Sequence, residues 1–83
     1  MSNEFNQTMR IEMPNEKKSI NEIIKVVYSA LEAKGYNPKS QIIGYILSGD
    51  PTYITNYNNA RGLIRQVSRD EILEEFLNVY MEK

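Results

Sequence analysis

The sequence contains neither cysteine nor histidine. That removes disulfide staples, thiolate and imidazole metal sites, and nucleophilic dyads built on Cys–His or Ser–His. No apolar run approaches the roughly 20 residues a helix needs to cross a bilayer, so no membrane insertion is expected. The opening Met1-Ser2-Asn3-Glu4 lacks the basic and apolar regions of a secretory signal and has no Gly for myristoylation. The sequon Asn6-Gln7-Thr8 has no consequence in a chain that is not secreted. An excess of charge is missing too. Ten Lys and Arg stand against eleven Asp and Glu, a net charge of −1, which gives no general drive toward nucleic acid or anionic lipid. The expectation is a cytoplasmic, non-enzymatic domain without cofactor or metal.

What is present suits one small globular domain. Hydrophobic residues make up 41% and charged residues 25% of the 83, a balance unlike that of a disordered chain. Residues 1–18 are mostly polar, contain Pro14 and end in Glu16-Lys17-Lys18. Within them Met9, Ile11 and Met13 alternate with Thr8, Arg10 and Glu12, a short period-2 pattern. A lone strand has no partner in an otherwise helical chain, so this stretch reads as a flexible N-terminal tail, with pairing across a dimer as the alternative.

Residues 19–83 read as a helical dimerisation and interaction domain. Ser19 and Glu22 form a capping-box pattern. Ile20, Ile23, Ile24, Val27 and Leu31 follow at helical spacing, and Lys34-Gly35 suits a C-terminal cap, which predicts a helix over Ile20 to Ala33. Asn37-Pro38 restarts the chain as cap and first helical residue. Ile42, Ile43, Tyr45, Ile46 and Leu47 are dense enough to predict burial on most sides, with Gly44 admitting a neighbouring backbone. Ser48-Gly49-Asp50-Pro51 ends that helix, and a short turn is expected through Tyr53 and Ile54. A third helix carries Ala60, Leu63, Ile64 and Val67. A fourth opens on a second capping box, Ser68 to Glu71, and is expected to bury Ile72, Leu73, Phe76, Leu77 and Tyr80. The fold class is all-α: a compact bundle of about four short helices, homodimeric.

The dimer follows from size. A domain near 60 residues buries only about 60% of its unfolded surface, and small scaffolds commonly add disulfides, metals or association. Tyr36, Tyr45, Tyr53 and Tyr57 crowd the middle third, and their amphipathic rings are the candidates for a dimer or interaction surface.

Other constellations have plainer explanations. Arg61, Arg65 and Arg69 are four apart and would share a face of a continuous helix as an anion cradle. The alternative is a solvated face balanced by Asp70, Glu71, Glu74 and Glu75, and the cap at Ser68 interrupts the stripe before Arg69. The three glutamates suit a helix N-terminus better than an acid–base pair, which would need a pocket that raises one pKa. The Gly49 loop has neither of the glycine-rich phosphate-binding patterns. A helix–turn–helix is not expected: its second helix would offer Ile, Tyr and Leu where bases need Arg, Lys, Asn or Gln.

Lys34-Gly35-Tyr36-Asn37-Pro38 and Gln41-Ile42-Ile43-Gly44-Tyr45-Ile46-Leu47-Ser48-Gly49-Asp50-Pro51 resemble the signature of the IreB family of regulatory phosphoproteins. Tyr53-Ile54, Tyr57, Ala60-Arg61, Ile64-Arg65, Arg69-Asp70-Glu71 and Glu74-Glu75 fit it as well, in order. The resemblance implies a small, cytosolic, all-helical, dimeric protein of Gram-positive bacteria. It implies phosphorylation by the membrane-anchored Ser/Thr kinase with PASTA repeats, and reversal by a cognate metal-dependent phosphatase. The implied role is in cell-envelope stress signalling and negative regulation of cephalosporin resistance.

The family's phosphoacceptor threonines lie in the tail, and one, followed by an apolar and then a basic residue, matches Thr8-Met9-Arg10. A second, three residues earlier, would fall on Phe5, so a single site at Thr8 is expected. A phosphate there adds about −1.5 to −2 charge. It would draw the tail onto Arg61 and Arg65, or disrupt an ordering of Met9, Ile11 and Met13 that the neutral tail permits. The downstream partner is an unidentified protein. The alternative is a small helical protein- or nucleic-acid-binding adaptor indifferent to phosphorylation.

Overall fold

Hydrogen-bonding side chains mark where the helices begin. The computed structural model describes residues 18–82; the rest of the expected tail, Thr8 included, and Lys83 lie outside the described residues. Ser19 Oγ accepts from the Glu22 backbone N–H at 3.2 Å while the Ser19 N–H donates to Glu22 Oε1 at 3.0 Å. This reciprocal pair satisfies two of the backbone donors that a first turn leaves open, and it starts α1, Ile20–Ala33. The helix ends as its sequence requires. Gly35 takes φ +85°, and the N–H groups of Tyr36 and Gly35 donate to the carbonyls of Leu31 and Glu32, each at 3.0 Å, the Schellman arrangement.

Asn37 caps α2, Pro38–Ser48, through its side chain to the Ser40 N–H at 3.1 Å, with Pro38 at the first position. Gly49 closes α2 at φ +77°. A single 3₁₀ turn follows at Pro51–Tyr53, in the place expected from Asp50-Pro51, and a second covers Tyr57–Asn59. That second turn was not foreseen. It depends on Asn58 and Asn59, both left-handed at φ 54° and 60°, a conformation Asn tolerates better than most residues. The short α3 spans Ala60–Ile64, and α4 spans Arg69–Met81 behind the Ser68–Glu71 capping box. Four α-helices and no strand occur among the described residues, the all-α architecture that the periodicity predicts.

The core is assembled mainly by α1. Its Ile23, Val27, Ala30 and Leu31 pack with Ile42 and Tyr45 of α2, Ile54 of the connecting loop, Ala60 and Ile64 of α3, and Ile72 of α4. All ten are apolar or aromatic, and no polar or charged side chain is buried among the described residues.

Three expectations need correction. Helix three stops at Ile64 rather than reaching Val67, because the N–H groups of Gln66 and Val67 bond back to Leu63 and Ile64 in a turn. On α2 only Ile42 and Tyr45 are buried, while Ile43 and Leu47 face outward, Leu47 at 80% exposure. On α4 Ile72 alone is buried. Leu73, Phe76, Leu77 and Tyr80 are all exposed, because α4 crosses the domain at its edge and meets the core only near its N-terminal end.

Candidate interaction surface

The segment from Ser48 to Ile54 is tied down by side chains whose types look functional in the sequence and prove to be structural. Ser48 Oγ donates to the Gly44 carbonyl at 2.7 Å and accepts from the Asp50 N–H at 3.0 Å. Asp50 Oδ1 in turn accepts from the Thr52 N–H at 3.0 Å and its hydroxyl at 2.7 Å. These donors, with a smaller contribution from Arg61, hold the Asp50 carboxyl below its usual 3.8 although it is exposed. Gln41 Nε2 donates to the Tyr53 carbonyl at 3.0 Å, fixing Tyr53 over α2.

Gly44 makes room for that tyrosine. A Cβ at Gly44 would stand 2.5 Å from the Tyr53 ring, so the close approach expected at this glycine is made by an aromatic ring and not by backbone. Gly49 performs a similar service for Arg69, whose Cζ would be 2.9 Å from an added Cβ. Arg69 Nη1 donates to the Ile46 carbonyl at 2.9 Å, satisfying an acceptor in the last turn of α2 with a cation, the favourable sign at a helix C-terminus.

The arginine stripe is therefore not a stripe. Arg61 is on α3, Arg65 follows its end, and Arg69 begins α4. Arg61 Nε donates to the Ile54 carbonyl at 2.9 Å, and Arg69 is engaged as described. Arg65 is exposed and keeps its guanidinium on the surface. Glu71 belongs to the capping box, and no group of three or more possible metal-ligating carboxylates is found among the described residues.

The four tyrosines divide. Tyr45 is 6% exposed and belongs to the core, which corrects its place among surface candidates. Tyr36, Tyr53 and Tyr57 are exposed, with the Lys34 Nζ 5.3 Å from the centre of the Tyr57 ring.

A larger apolar surface lies elsewhere. Asn21, Ile24, Lys25, Glu75, Phe76, Val79 and Tyr80 line a groove of about 360 Å³ between α1 and α4. A second groove of about 410 Å³, with an entirely apolar lining surface, is bounded by Ile24, Tyr28, Lys39, Ile42, Ile43 and Phe76. Ile24 and Phe76 belong to both, so the two form one trough. Sequence reasoning missed it by placing Phe76 and Tyr80 in the core. The signal available was the width of the apolar arc on α4, which is more than the edge of so small a core can cover.

The IreB regulatory phosphoprotein model matches residues 6–82. The chain belongs to the IreB regulatory phosphoprotein family. A UPF0297 protein from Ruminiclostridium cellulolyticum is 56% identical over 79 residues, covering 94% of this chain and 90% of the relative. A UPF0297 protein from Acetivibrio thermocellus is 56% identical over 84 residues, covering 100% and 91%. The resemblance seen in the signature residues is thus a family membership. Several of those IreB-family signature residues, Gly44, Gly49, Asp50, Tyr53, Arg61 and Arg69, meet at the junction of α2, α3 and α4. No helix of the described residues is long and apolar enough to cross a membrane.

Proposed function

We propose that this chain is a non-enzymatic regulatory phosphoprotein, reversibly phosphorylated on Thr8 by a membrane Ser/Thr kinase with PASTA repeats and dephosphorylated by the cognate phosphatase. It acts in the cytoplasm, in cell-envelope stress signalling and the control of cephalosporin resistance, through contact with a downstream protein. The observation that carries this reading is the family match over residues 6–82, a span that includes Thr8-Met9-Arg10.

The folded part acts as a homodimer in this reading. Leu73 and Leu77, four residues apart on one side of α4, and Leu47 on α2 are large exposed apolar side chains, of the kind that a second copy would cover. Tyr36, Tyr53 and Tyr57 extend the surface open to partners. Arg61 and Arg65 are the candidates for an anion or partner contact; among the described residues Arg65 is exposed, while Arg61 donates through Nε to the Ile54 carbonyl.

The test is mass spectrometry of the intact protein and its fragments after incubation with the PASTA-repeat kinase domain and ATP. One added phosphate, located at Thr8 and absent from Thr8→Ala, is expected. No incorporation by a kinase active on another substrate would overturn the phosphoswitch. The exposed apolar side chains would then favour the second reading, a constitutive helical adaptor whose binding to one protein tolerates salt; steeply salt-sensitive binding would instead indicate nucleic acid.

A further inference from the structure

Exposure climbs along one face of α4. Ile72, Phe76, Val79 and Tyr80 stand at i, i+4, i+7 and i+8, the spacing of a single apolar face. Yet they are 0%, 37%, 46% and 69% exposed in that order. A helix lying flat on its neighbours would bury all four alike. α4 therefore diverges from α1 as it runs away from its N-terminal end, and the groove of about 360 Å³ is the space between the two diverging walls. We infer that α4 is a hinged strap, which swings about Ile72 and brings Phe76, Val79 and Tyr80 down onto Ile24 to close that groove.

Anchorage, hinge and facing walls support this motion. Ile72 in the core, the Ser68–Glu71 cap and the Arg69 contact to Ile46 all hold the same end of α4. Just before that end, the Val67 N–H reaches the Ile64 carbonyl at 3.4 Å, longer than the usual range of about 2.7–3.2 Å. The turn between α3 and α4 is thus the weakly tied place where a rotation is absorbed, as hinges are by a few residues at element ends. From Ile72 to Tyr80 the lever is about 12 Å at 1.5 Å per residue, so a rotation of about 20° carries Tyr80 by about 4 Å. The walls match in both polarity and charge. Ile24 faces Phe76 and Val79, and Lys25 of α1 stands across the groove from Glu75 of α4, so closing draws an ammonium toward a carboxylate.

The swing governs more than one groove. Phe76 also bounds the second, with Ile24, Tyr28, Ile42 and Ile43, so the position of α4 sets how much apolar surface the whole trough offers. A partner that binds the open trough shifts the population toward the open form, and the closed form withholds that surface. Neither phosphorylation of Thr8 nor the pairing of two copies enters this inference.

The absence of cysteine from the chain makes the test direct, because introduced thiols are the only ones to label. Spin labels are placed on the full chain at Ser29→Cys of α1 and Asn78→Cys of α4, both exposed positions. Labelled chains are diluted into an excess of unlabelled wild type, so that pulsed electron resonance reads distances within one chain. Two distance populations are expected, an open and a closed one. Lys25→Glu sets like charges on the facing walls and should deplete the closed population, and adding Glu75→Lys should restore it. Circular dichroism of each variant checks that the helices persist. A single distance in the otherwise wild-type chain overturns the inference, and so do populations that ignore Lys25→Glu. A broad distribution accompanied by lost helical signal overturns it as well, since α4 would then fray instead of swinging.

Discussion

Gly44 illustrates how tightly single positions are set. A methyl group there would meet the Tyr53 ring at 2.5 Å, and the Tyr53 backbone is held over α2 by Gln41, so the ring must turn away to admit it. Gly44→Ala is expected to cost about 1–3 kcal/mol, the usual range for overpacking, read as a lower urea midpoint with unchanged slope. Asp50 makes a pH-dependent contribution whose sign follows from its lowered pKa. A carboxyl with a depressed folded pKa stabilises fully above its unfolded value, here 3.8, and loses that contribution as pH falls through the folded value. Urea unfolding of wild type and Asp50→Asn should therefore differ at pH 7 and converge as the pH is taken progressively below 3.8. These residues stand out in the sequence, but their chemistry is turn and cap chemistry. The loop from Ser48 to Ile54 shows the reason: Ser, Asp and Thr satisfy backbone groups with the same oxygens that elsewhere would grip a ligand.

At the scale of elements, capping and the limits of helical stripes governed what was legible. Ser19, Asn37 and Ser68 announced their helices because a cap is a local interaction, complete within four residues. The interior of α1 was equally readable, since its apolar stripe has the whole core to face. The end of helix three was not, because the turn after Ile64 keeps Val67 in phase with the stripe. The fate of α4 was the larger miss. Apolar spacing says which side chains share a face, not how far another element covers it, and among the described residues Leu73, Phe76, Leu77 and Tyr80 are covered only in part. Ile72→Ala is expected to cost about 2–5 kcal/mol, whereas Phe76→Ser should cost far less, a contrast measurable by thermal unfolding. Ser68→Ala removes the cap and should cost about 1 kcal/mol, visible as lost helical signal in circular dichroism before the main transition.

For the whole molecule, association is the property at stake. If α4 presents Leu73 and Leu77 to a second copy, Leu77→Glu should shift sedimentation equilibrium from dimer toward monomer while the far-ultraviolet spectrum keeps its helical form. A dimer unchanged by Leu77→Glu and by Leu73→Glu would move the interface to another face, the exposed Tyr36 and Tyr57 among the candidates. The candidate site was legible only in part at this scale. Thr8 came from resemblance, because a phosphoacceptor is recognised by a kinase and carries no packing signature of its own. The trough required three helices to be placed together, and no spacing along one helix contains that information.

One consequence of the way α4 is attached concerns time rather than structure. Its hold on the core comes chiefly through Ile72, with the capping box and the Arg69 contact to Ile46 clustered at the same end. Burial of one such side chain is worth about 1.5–3 kcal/mol, less than the stability of a typical domain. The C-terminal turns of α4 should therefore open on their own, without the rest unfolding. In deuterated solvent the amides of Leu77 to Met81 are expected to exchange well ahead of those of Val27 and Leu31. Any partner that covers this face would reveal itself by slowing that clock.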